Sequence, residues 1–305
     1  MEYKAPAEAY TGLVREETIG TGSKALKLGG ENILSLHLFD QGSLPNPPKF
    51  ALEVLDIQPI DWPEHLLEPF KDVIADPVKW AKKCEEFGAD AVSIYLISTD
   101  PAGENRSADE AVPLVRKVAE SLNIPVLVYG SGDDKKDAIV LPKVAETCDG
   151  MNLLIGPVLK ENYEVVGKAI LDHGHKAWAE SPLDINLLKE LNVKLCHFLP
   201  PERIVIDPES AALGYGFEYS FSLMERVKQL GVITKDSMTQ MPIIANLGKE
   251  IWKTKQAKEN KKQGLLFEAM TALGLLMAGA NILVLRHPES MNLIKETIGG
   301  NLWQK

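Results

Sequence analysis

The stretch Ser181–Arg226 contains, in order, the segments SPLDIN, IVIDP and ESAALGYGFEYSFSLMER. Two short apolar runs meet polar turns here: Ala177–Ala179 runs into Ser181-Pro182, and Ile204–Ile206 runs into Asp207-Pro208. Polar residues at the exit of a buried parallel strand are where α/β proteins bind ligands and do chemistry. We therefore interpret the rest of the chain as a scaffold for the face that these exits form.

The same strand–helix unit recurs on both sides of this stretch. Eight apolar runs predict strands, and in chain order they are Phe50–Leu55, Ala91–Ile97, Val126–Tyr129, Asn152–Ile155, Lys176–Ala179, Ile204–Ile206, Ile243–Ala245 and Ile282–Leu285. A segment with the apolar spacing of a helix follows each of them. Asp76-Pro77 and a capping box of Ser107 with Glu110 predict two of the helix starts, and Gly299-Gly300 predicts the end of the last helix. Eight such units with no break in composition predict a single (β/α)8 TIM barrel over residues 49–305. An open doubly wound sheet is the alternative.

Residues 1–48 are predicted to form an extension before the barrel. Thr18–Leu28 alternates weakly and then meets Gly29-Gly30, which predicts a hairpin that caps one end of the fold.

Two other segments are interpreted as solvent-exposed parts of the fold without a ligand of their own. The lysine-rich run Lys249–Gly264 is predicted to be a loop at the barrel mouth, where it could meet an acidic partner, and His173–His175 is predicted to be a solvated helix end.

Composition excludes several classes of function. The chain has 305 residues and a net charge of −10, which argues against a nucleic-acid partner. No apolar run approaches the roughly 20 residues of a membrane span, and the first residues lack the apolar core of a signal peptide, so we expect a cytoplasmic protein without a membrane segment. The three cysteines, Cys84, Cys148 and Cys196, are far apart, so neither a disulfide framework nor a metal site is expected.

Polar residues follow the predicted strands, and in a barrel these positions converge on one mouth. They are Asp56, Asp100, Ser131, Ser181 with Asp184 and Asn186, Asp207, Asn246, and Arg286 with His287. One interpretation is a ligand pocket lined by carboxylates and amides. The other is structural: Asp184 caps a helix and Asp207-Pro208 makes a turn. Gly214-Tyr215-Gly216 would admit a flat ligand at close range, or is a flexible loop.

Several segments together carry a resemblance to a known family. They are SPLDIN, IVIDP, LGYGFEYSFSLMER, LVLRHPE, LLIGPVLKENY and the run Ala51–Asp90. The chain resembles the small subunit of the corrinoid iron–sulfur protein, which is the delta subunit of the CO dehydrogenase/acetyl-CoA synthase complex. The similarity spans the chain from about Gly29 onward.

The resemblance implies a non-catalytic barrel subunit in a heterodimer. In that family the large subunit holds the iron–sulfur cluster and the corrinoid (cobalamin). The pair carries a methyl group from a methyltetrahydrofolate methyltransferase to acetyl-CoA synthase, in the Wood–Ljungdahl pathway of one-carbon metabolism in anaerobes. The corrinoid-ligating pattern Asp-x-His-x-x-Gly is absent here, because none of the six histidines has an aspartate two residues before it. The cobalt ligand is therefore expected on the partner.

The resemblance suggests a corrinoid-binding face built from the loops after the fifth, sixth and eighth strands. In this hypothesis Ser181, Asp184 and Asn186 bond corrinoid amides, Gly214-Tyr215-Gly216 lets the macrocycle approach, and Arg286 pairs with a carboxylate. Asp207 and Asn246 complete the predicted cofactor-binding set, with no catalytic residue and no metal ligand.

The alternative is an enzyme, a pterin-dependent (methyltetrahydrofolate) methyltransferase of the TIM-barrel type. Its ligand would be bound in the mouth by Asp100, Asp184, Asp207 and Asn246. An aldolase-like barrel with a Schiff-base lysine is weaker, because no lysine lies in the core of a predicted strand.

Overall fold

The computed structural model describes residues 8–34 and 40–299, with the side chains of Asp40 and Gln41 excepted. The predicted domain limits at residues 1 and 305 lie outside this range, as does Gly300, which was predicted to stop the last helix.

Eight parallel strands form the central sheet. They are β1 (Lys49–Leu55), β2 (Ala91–Tyr95), β3 (Val126–Tyr129), β4 (Leu154–Val158), β5 (Lys176–Glu180), β6 (Ile204–Asp207), β7 (Ile244–Asn246) and β8 (Ile282–Leu285). Neighbours along the chain pair from β1 to β6, and β8 lies between β1 and β7. The ring closes where Ile206 bridges Ile243 and donates its N–H to the Pro242 oxygen at 2.9 Å. The predicted barrel is confirmed, and the open sheet is wrong.

A main helix follows each strand. The eight are α1 (Pro77–Glu86), α2 (Ala108–Ser121), α3 (Asp134–Thr147), α4 (Tyr163–Asp172), α5 (Ile185–Cys196), α6 (Phe217–Val232), α7 (Lys261–Ala278) and α8 (Pro288–Gly299). Shorter helices span Glu64–Leu67, Gly248–Ile251 and Lys255–Glu259. Polar side chains fix where the main helices begin: Asp76 caps α1, and Ser107 with Glu110 forms the predicted capping box of α2.

The predicted N-terminal hairpin is present and closes the amino end of the barrel. Glu17–Ile19 pairs antiparallel with Leu26–Leu28. Ile19 and Leu28 are buried among the barrel's inward-facing residues, such as Ala51. A second short pair, Glu8–Ala9 with Asp40–Gln41, is parallel.

Two buried ion pairs fasten the residues around the hairpin to the barrel. The Lys176 ammonium donates to Glu17 at 2.6 Å, and the Lys228 ammonium of α6 donates to Glu31. Glu31 also accepts from the Asn281 amide at 2.7 Å. These charges are removed from water, so each depends on its partner.

Two segments differ from what the sequence predicts. The run Lys249–Gly264 is largely helical rather than a loop, because Thr254 and Asn260 each cap a new helix with a side-chain oxygen. His173 ends α4 and pairs with Asp149 at 2.8 Å, as a solvated end would, but His175 is fully buried. Its Nδ1 accepts from the Leu153 N–H and its Nε2 faces the Ala145 oxygen at 3.0 Å.

Candidate functional site

The barrel mouth is lined by the last inward-facing residue of several strands. Side chains alternate along a strand, so Glu180, Asp207 and Asn246 follow the interior residues Trp178, Val205 and Ile244 by two positions. The carboxyl ends of parallel strands meet at one face, which brings these polar groups together above an apolar core.

Tyr129 connects the strands of the mouth with the short helix after β7. Its hydroxyl donates to the Glu180 carboxylate at 2.8 Å and accepts from the Lys249 ammonium at 2.8 Å. The same ammonium lies 4.4 Å from the centre of the Tyr129 ring. Burial and the nearby Glu180 raise the pKa of Tyr129 well above its usual value, so the phenol remains a neutral donor.

Asp207 is buried beside this cluster. Its carboxyl accepts from the Trp178 indole N–H and from the Glu209 backbone N–H, each at 2.9 Å. Burial, and then the charge of Glu180, raises the pKa of Asp207 to about 8. At neutral pH the mouth therefore holds a mostly protonated carboxyl next to an ammonium and other carboxylates.

A cavity of about 260 Å³ opens at this point and is called the mouth cavity below. Its lining residues are Glu180, Leu183, Asp207, Glu209, Ser210, Ala211, Asn246, Lys249 and Glu250. Two lining atoms, the Asn246 Oδ1 and the Ser210 Oγ, are buried and have no hydrogen-bond partner. Such atoms are costly unless a ligand or water satisfies them, so the cavity has the character of a binding site.

Arg286 follows β8, the strand that pairs with β7. Its Nε donates to the Glu53 carboxylate at 2.5 Å, and its guanidinium stacks over Trp62 at 4.6 Å. The Glu268 carboxylate of α7 accepts the backbone N–H of Arg286 at 2.7 Å. Arg286 was predicted to pair with a carboxylate, and in the structure that carboxylate belongs to Glu53 of the same chain.

Apart from Arg286, the predicted site residues fall into three groups: those at or next to the mouth cavity, those at the start of α5, and the glycine loop. Asp207 and Asn246 line the mouth cavity, and Ser181, whose Oγ is buried without a partner, follows Glu180 directly. Asp184 caps α5 by accepting the N–H groups of Asn186 and Leu187 at 2.7 and 3.1 Å, and Asn186 is exposed.

The glycine loop lies at the rim, outside the cavity lining. Gly214 and Gly216 have φ values of +73° and +102°, in the region that favours glycine. The Tyr215 side chain is 53% exposed, and its hydroxyl donates to Gln256 at 2.8 Å. The loop therefore holds a largely exposed tyrosine between two glycines.

Sequence reasoning missed Glu180, Lys249 and Ser210. The predicted fifth strand ended at Ala179, whereas the observed strand continues to Glu180. Glu180 was therefore not recognised as lying on the same face of the strand as Trp178. Lys249 belonged to a run predicted to be a loop at the barrel mouth, and no role inside the mouth was assigned to it. In the described part of the chain, no group of three or more His, Cys, Asp or Glu side chains is placed to hold a metal ion.

Replacing Asp184 with alanine is expected to lower the free energy of unfolding by about 1 kcal/mol, because two N–H groups of the first turn of α5 lose their acceptor. Urea denaturation measures the change. Asp184→Asn retains a capping oxygen and should stay within a few tenths of a kcal/mol of the wild type. Equal losses in the two variants would contradict the capping role.

The raised pKa of Asp207 makes stability depend on pH. The ordinary pKa is 3.8 and the folded value about 8, so the folded state holds a proton that the unfolded chain releases. The stabilising contribution is complete below about pH 4 and is lost as the pH rises through about 8. Unfolding free energies measured from about pH 5 to about pH 8.5 should fall more steeply for the wild type than for Asp207→Asn. Parallel curves would contradict the assignment.

Comparison with known proteins places these features in a family. A family model described as CO dehydrogenase/acetyl-CoA synthase delta subunit matches residues 16–298. The acetyl-CoA decarbonylase/synthase complex subunit delta of Methanocaldococcus jannaschii is 33% identical over 320 residues, covering 100% of this chain and 78% of that protein. The corresponding subunit of Methanothermobacter thermautotrophicus is 35% identical, covering 97% and 77%.

Solved structures with the same fold include two dihydropteroate synthases. The protein from Vibrio fischeri ES114 has a TM-score of 0.61 at 15% identity, covering 87% of this chain and 96% of that one. The protein from Xanthomonas albilineans has a TM-score of 0.61 at 14% identity, covering 85% and 96%. At this identity the likeness establishes the barrel fold alone. By the match over residues 16–298, the chain belongs to the CO dehydrogenase/acetyl-CoA synthase delta subunit family.

Proposed function

We propose that the chain is the small subunit of a corrinoid iron–sulfur protein, and that its barrel mouth covers a corrinoid held by a larger partner subunit. The family membership over residues 16–298 is the observation that carries this proposal. Three cysteines at positions 84, 148 and 196 are too few for a four-cysteine cluster, so the iron–sulfur centre belongs to the partner.

The residues at the mouth fit a corrinoid lying across it. The unpartnered Asn246 Oδ1 and Ser210 Oγ offer hydrogen bonds to the amide-bearing edge of the macrocycle. The exposed ring of Tyr215, between two glycines, offers a flat contact. When bound, the corrinoid supplies the cobalt that carries the methyl group. The side chains of this chain bind and orient the macrocycle and exclude water from one of its faces.

In this proposal the chain is not itself an enzyme. The methyl group enters from a methyltetrahydrofolate methyltransferase and leaves to acetyl-CoA synthase, and both of these partners must reach the same corrinoid. The mouth must therefore release the macrocycle in part at each transfer, which favours contacts through neutral hydrogen bonds over a rigid ionic clamp.

A second candidate, a pterin-dependent methyltransferase, is favoured by one observation. Two of its four predicted ligands, Asp207 and Asn246, line the same cavity. The other two do not line it: Asp184 caps α5, and Asp100 accepts the Ala102 N–H at 2.8 Å. Two of the four predicted ligands, Asp184 and Asp100, thus accept backbone N–H groups of their own loops instead of lining the cavity.

Reconstitution separates the two candidates. Cobalamin is added to the purified chain alone and to the chain with its co-purified large subunit, and binding is followed by the cobalt absorption spectrum. We expect tight one-to-one binding only when the partner is present. Tight binding by the chain alone would overturn the carrier proposal. Turnover of methyltetrahydrofolate with free cobalamin by the chain alone would establish the methyltransferase instead.

A further inference from the structure

The mouth cavity is much smaller than the ligand assigned to the mouth. Its volume of about 260 Å³ lies below the range of about 300–1,000 Å³ typical of sites for drug-sized molecules. A corrin ring cannot enter it and can only lie across its opening. The cavity is therefore shaped for a small group that projects from a larger ligand.

The polar lining of the cavity contains both donors and acceptors. The Asn246 side chain is only 3% exposed, and its Oδ1 has no partner. The Ser210 hydroxyl is also unpartnered and can donate or accept. Lys249 has donated one N–H to Tyr129, which leaves two further donors on its ammonium group. A complementary group must itself both donate and accept.

We infer that the mouth cavity receives a primary carboxamide arm from the edge of the bound macrocycle, an inference that rests on the proposed function. The amide NH₂ of the arm donates to the Asn246 Oδ1, and its carbonyl oxygen accepts from Lys249 or Ser210. An asparagine side chain is itself a primary amide, so it complements a second amide in either orientation. This assigns a ligand role to Lys249 and Ser210 and gives Asn246 a defined partner.

The charges around the cavity disfavour an anionic arm. A carboxylate would face Glu180, Glu209 and Glu250, which line the cavity together. An ammonium arm can donate but cannot accept, so it would leave the remaining donors of the Lys249 ammonium without an acceptor and would add a second cation beside them. A neutral amide forms the same hydrogen bonds without either repulsion.

Three probes of nearly equal size test the inference on the full chain: propionamide, propionate and propylammonium. Ligand-observed NMR titrations measure the dissociation constant of each. We expect propionamide to bind with a dissociation constant of about 1–10 mM, as suits so small a ligand, and the two ions to bind at least about fivefold more weakly. Asn246→Ala should weaken propionamide at least about fivefold.

Two further variants show whether a loss of binding comes from the cavity or from misfolding. Ser210→Ala lies in a loop outside the strands and should also weaken propionamide, whereas Asn123→Ala, an exposed asparagine in the turn before β3, should leave it unchanged. Propionamide binding that is absent, unaffected by both cavity variants, or matched by either ion would overturn the inference.

A competition experiment tests whether the bound macrocycle occupies the mouth cavity. In the complex of the chain with its cobalamin-loaded large subunit, propionamide binding should disappear because the arm fills the cavity. Persistent binding in that complex would overturn the inference. Failure of the proposed function shows separately, as a chain whose partner does not recruit cobalamin, and it leaves the titrations on the free chain unchanged.

Discussion

Replacing Lys228 with methionine is expected to destabilise the fold by about 3–5 kcal/mol, because it leaves the Glu31 carboxylate buried without a counter-charge. The two side chains are 4% and 1% exposed. Burial acts to raise the pKa of Glu31, but the charge and hydrogen bond of Lys228, together with Asn281, outweigh it, and the pKa lies below its usual value. The pair joins the segment after the hairpin to α6.

The loss should depend on pH. Without Lys228, burial is opposed only by the remaining hydrogen bonds of Glu31, such as the one from Asn281, so we expect its folded pKa to rise above the unfolded value and the protonated form to be favoured in the fold. The penalty is then small below the ordinary pKa of Glu31 and grows as the pH rises. Urea denaturation of the variant near pH 5 and pH 8 measures this. Lys168→Met, which breaks an exposed pair with Glu164, serves as the control and should change little. A pH-independent loss of less than about 1 kcal/mol would contradict the account.

Replacing Trp178 with alanine is expected to cost about 3–5 kcal/mol, because it empties the space between the barrel floor and the mouth. The indole is fully buried and packs edge-on against the Tyr129 ring, with centroids 5.0 Å apart. It also donates the hydrogen bond that Asp207 accepts. One substitution therefore removes core volume and a support of the site together.

A second variant separates these two contributions. Trp178→Phe keeps most of the ring but lacks the N–H, and it should cost about 1–3 kcal/mol, the range for a buried acceptor left unsatisfied. Denaturation midpoints of both variants, together with propionamide binding, give the comparison. Equal losses in the phenylalanine and alanine variants would show that filling the barrel interior is not what Trp178 contributes.

The barrel could be predicted from the sequence because its strands are buried on both faces. That burial produces short continuous apolar runs such as Val126–Tyr129 and Ile282–Leu285, which are distinct from the helical spacing between them. The hairpin and the helix starts at Asp76, Ser107 and Asp184 followed from local rules, since caps depend only on neighbouring residues.

The composition of the mouth could be predicted only in part. Asp207 and Asn246 directly end their strands, so their position follows from the topology. Lys249 reaches Tyr129, a residue 120 positions away, and no local pattern predicts that contact. His175 was misplaced for the same reason, because its burial depends on Ala145 and Leu153 in other units of the barrel.

The distance between the cobalt and the two ends of the barrel tests the central claim most directly. A nitroxide label is attached through a cysteine at Asn186 near the mouth, or at Ser23 in the hairpin turn, with Cys196 replaced by alanine because it is partly accessible. Pulsed EPR on the complex with Co(II)-loaded large subunit then gives the two cobalt–nitroxide distances. We predict that the cobalt lies clearly closer to the label at position 186. A cobalt equally distant from both labels, or closer to position 23, would contradict the proposal that the mouth covers the corrinoid.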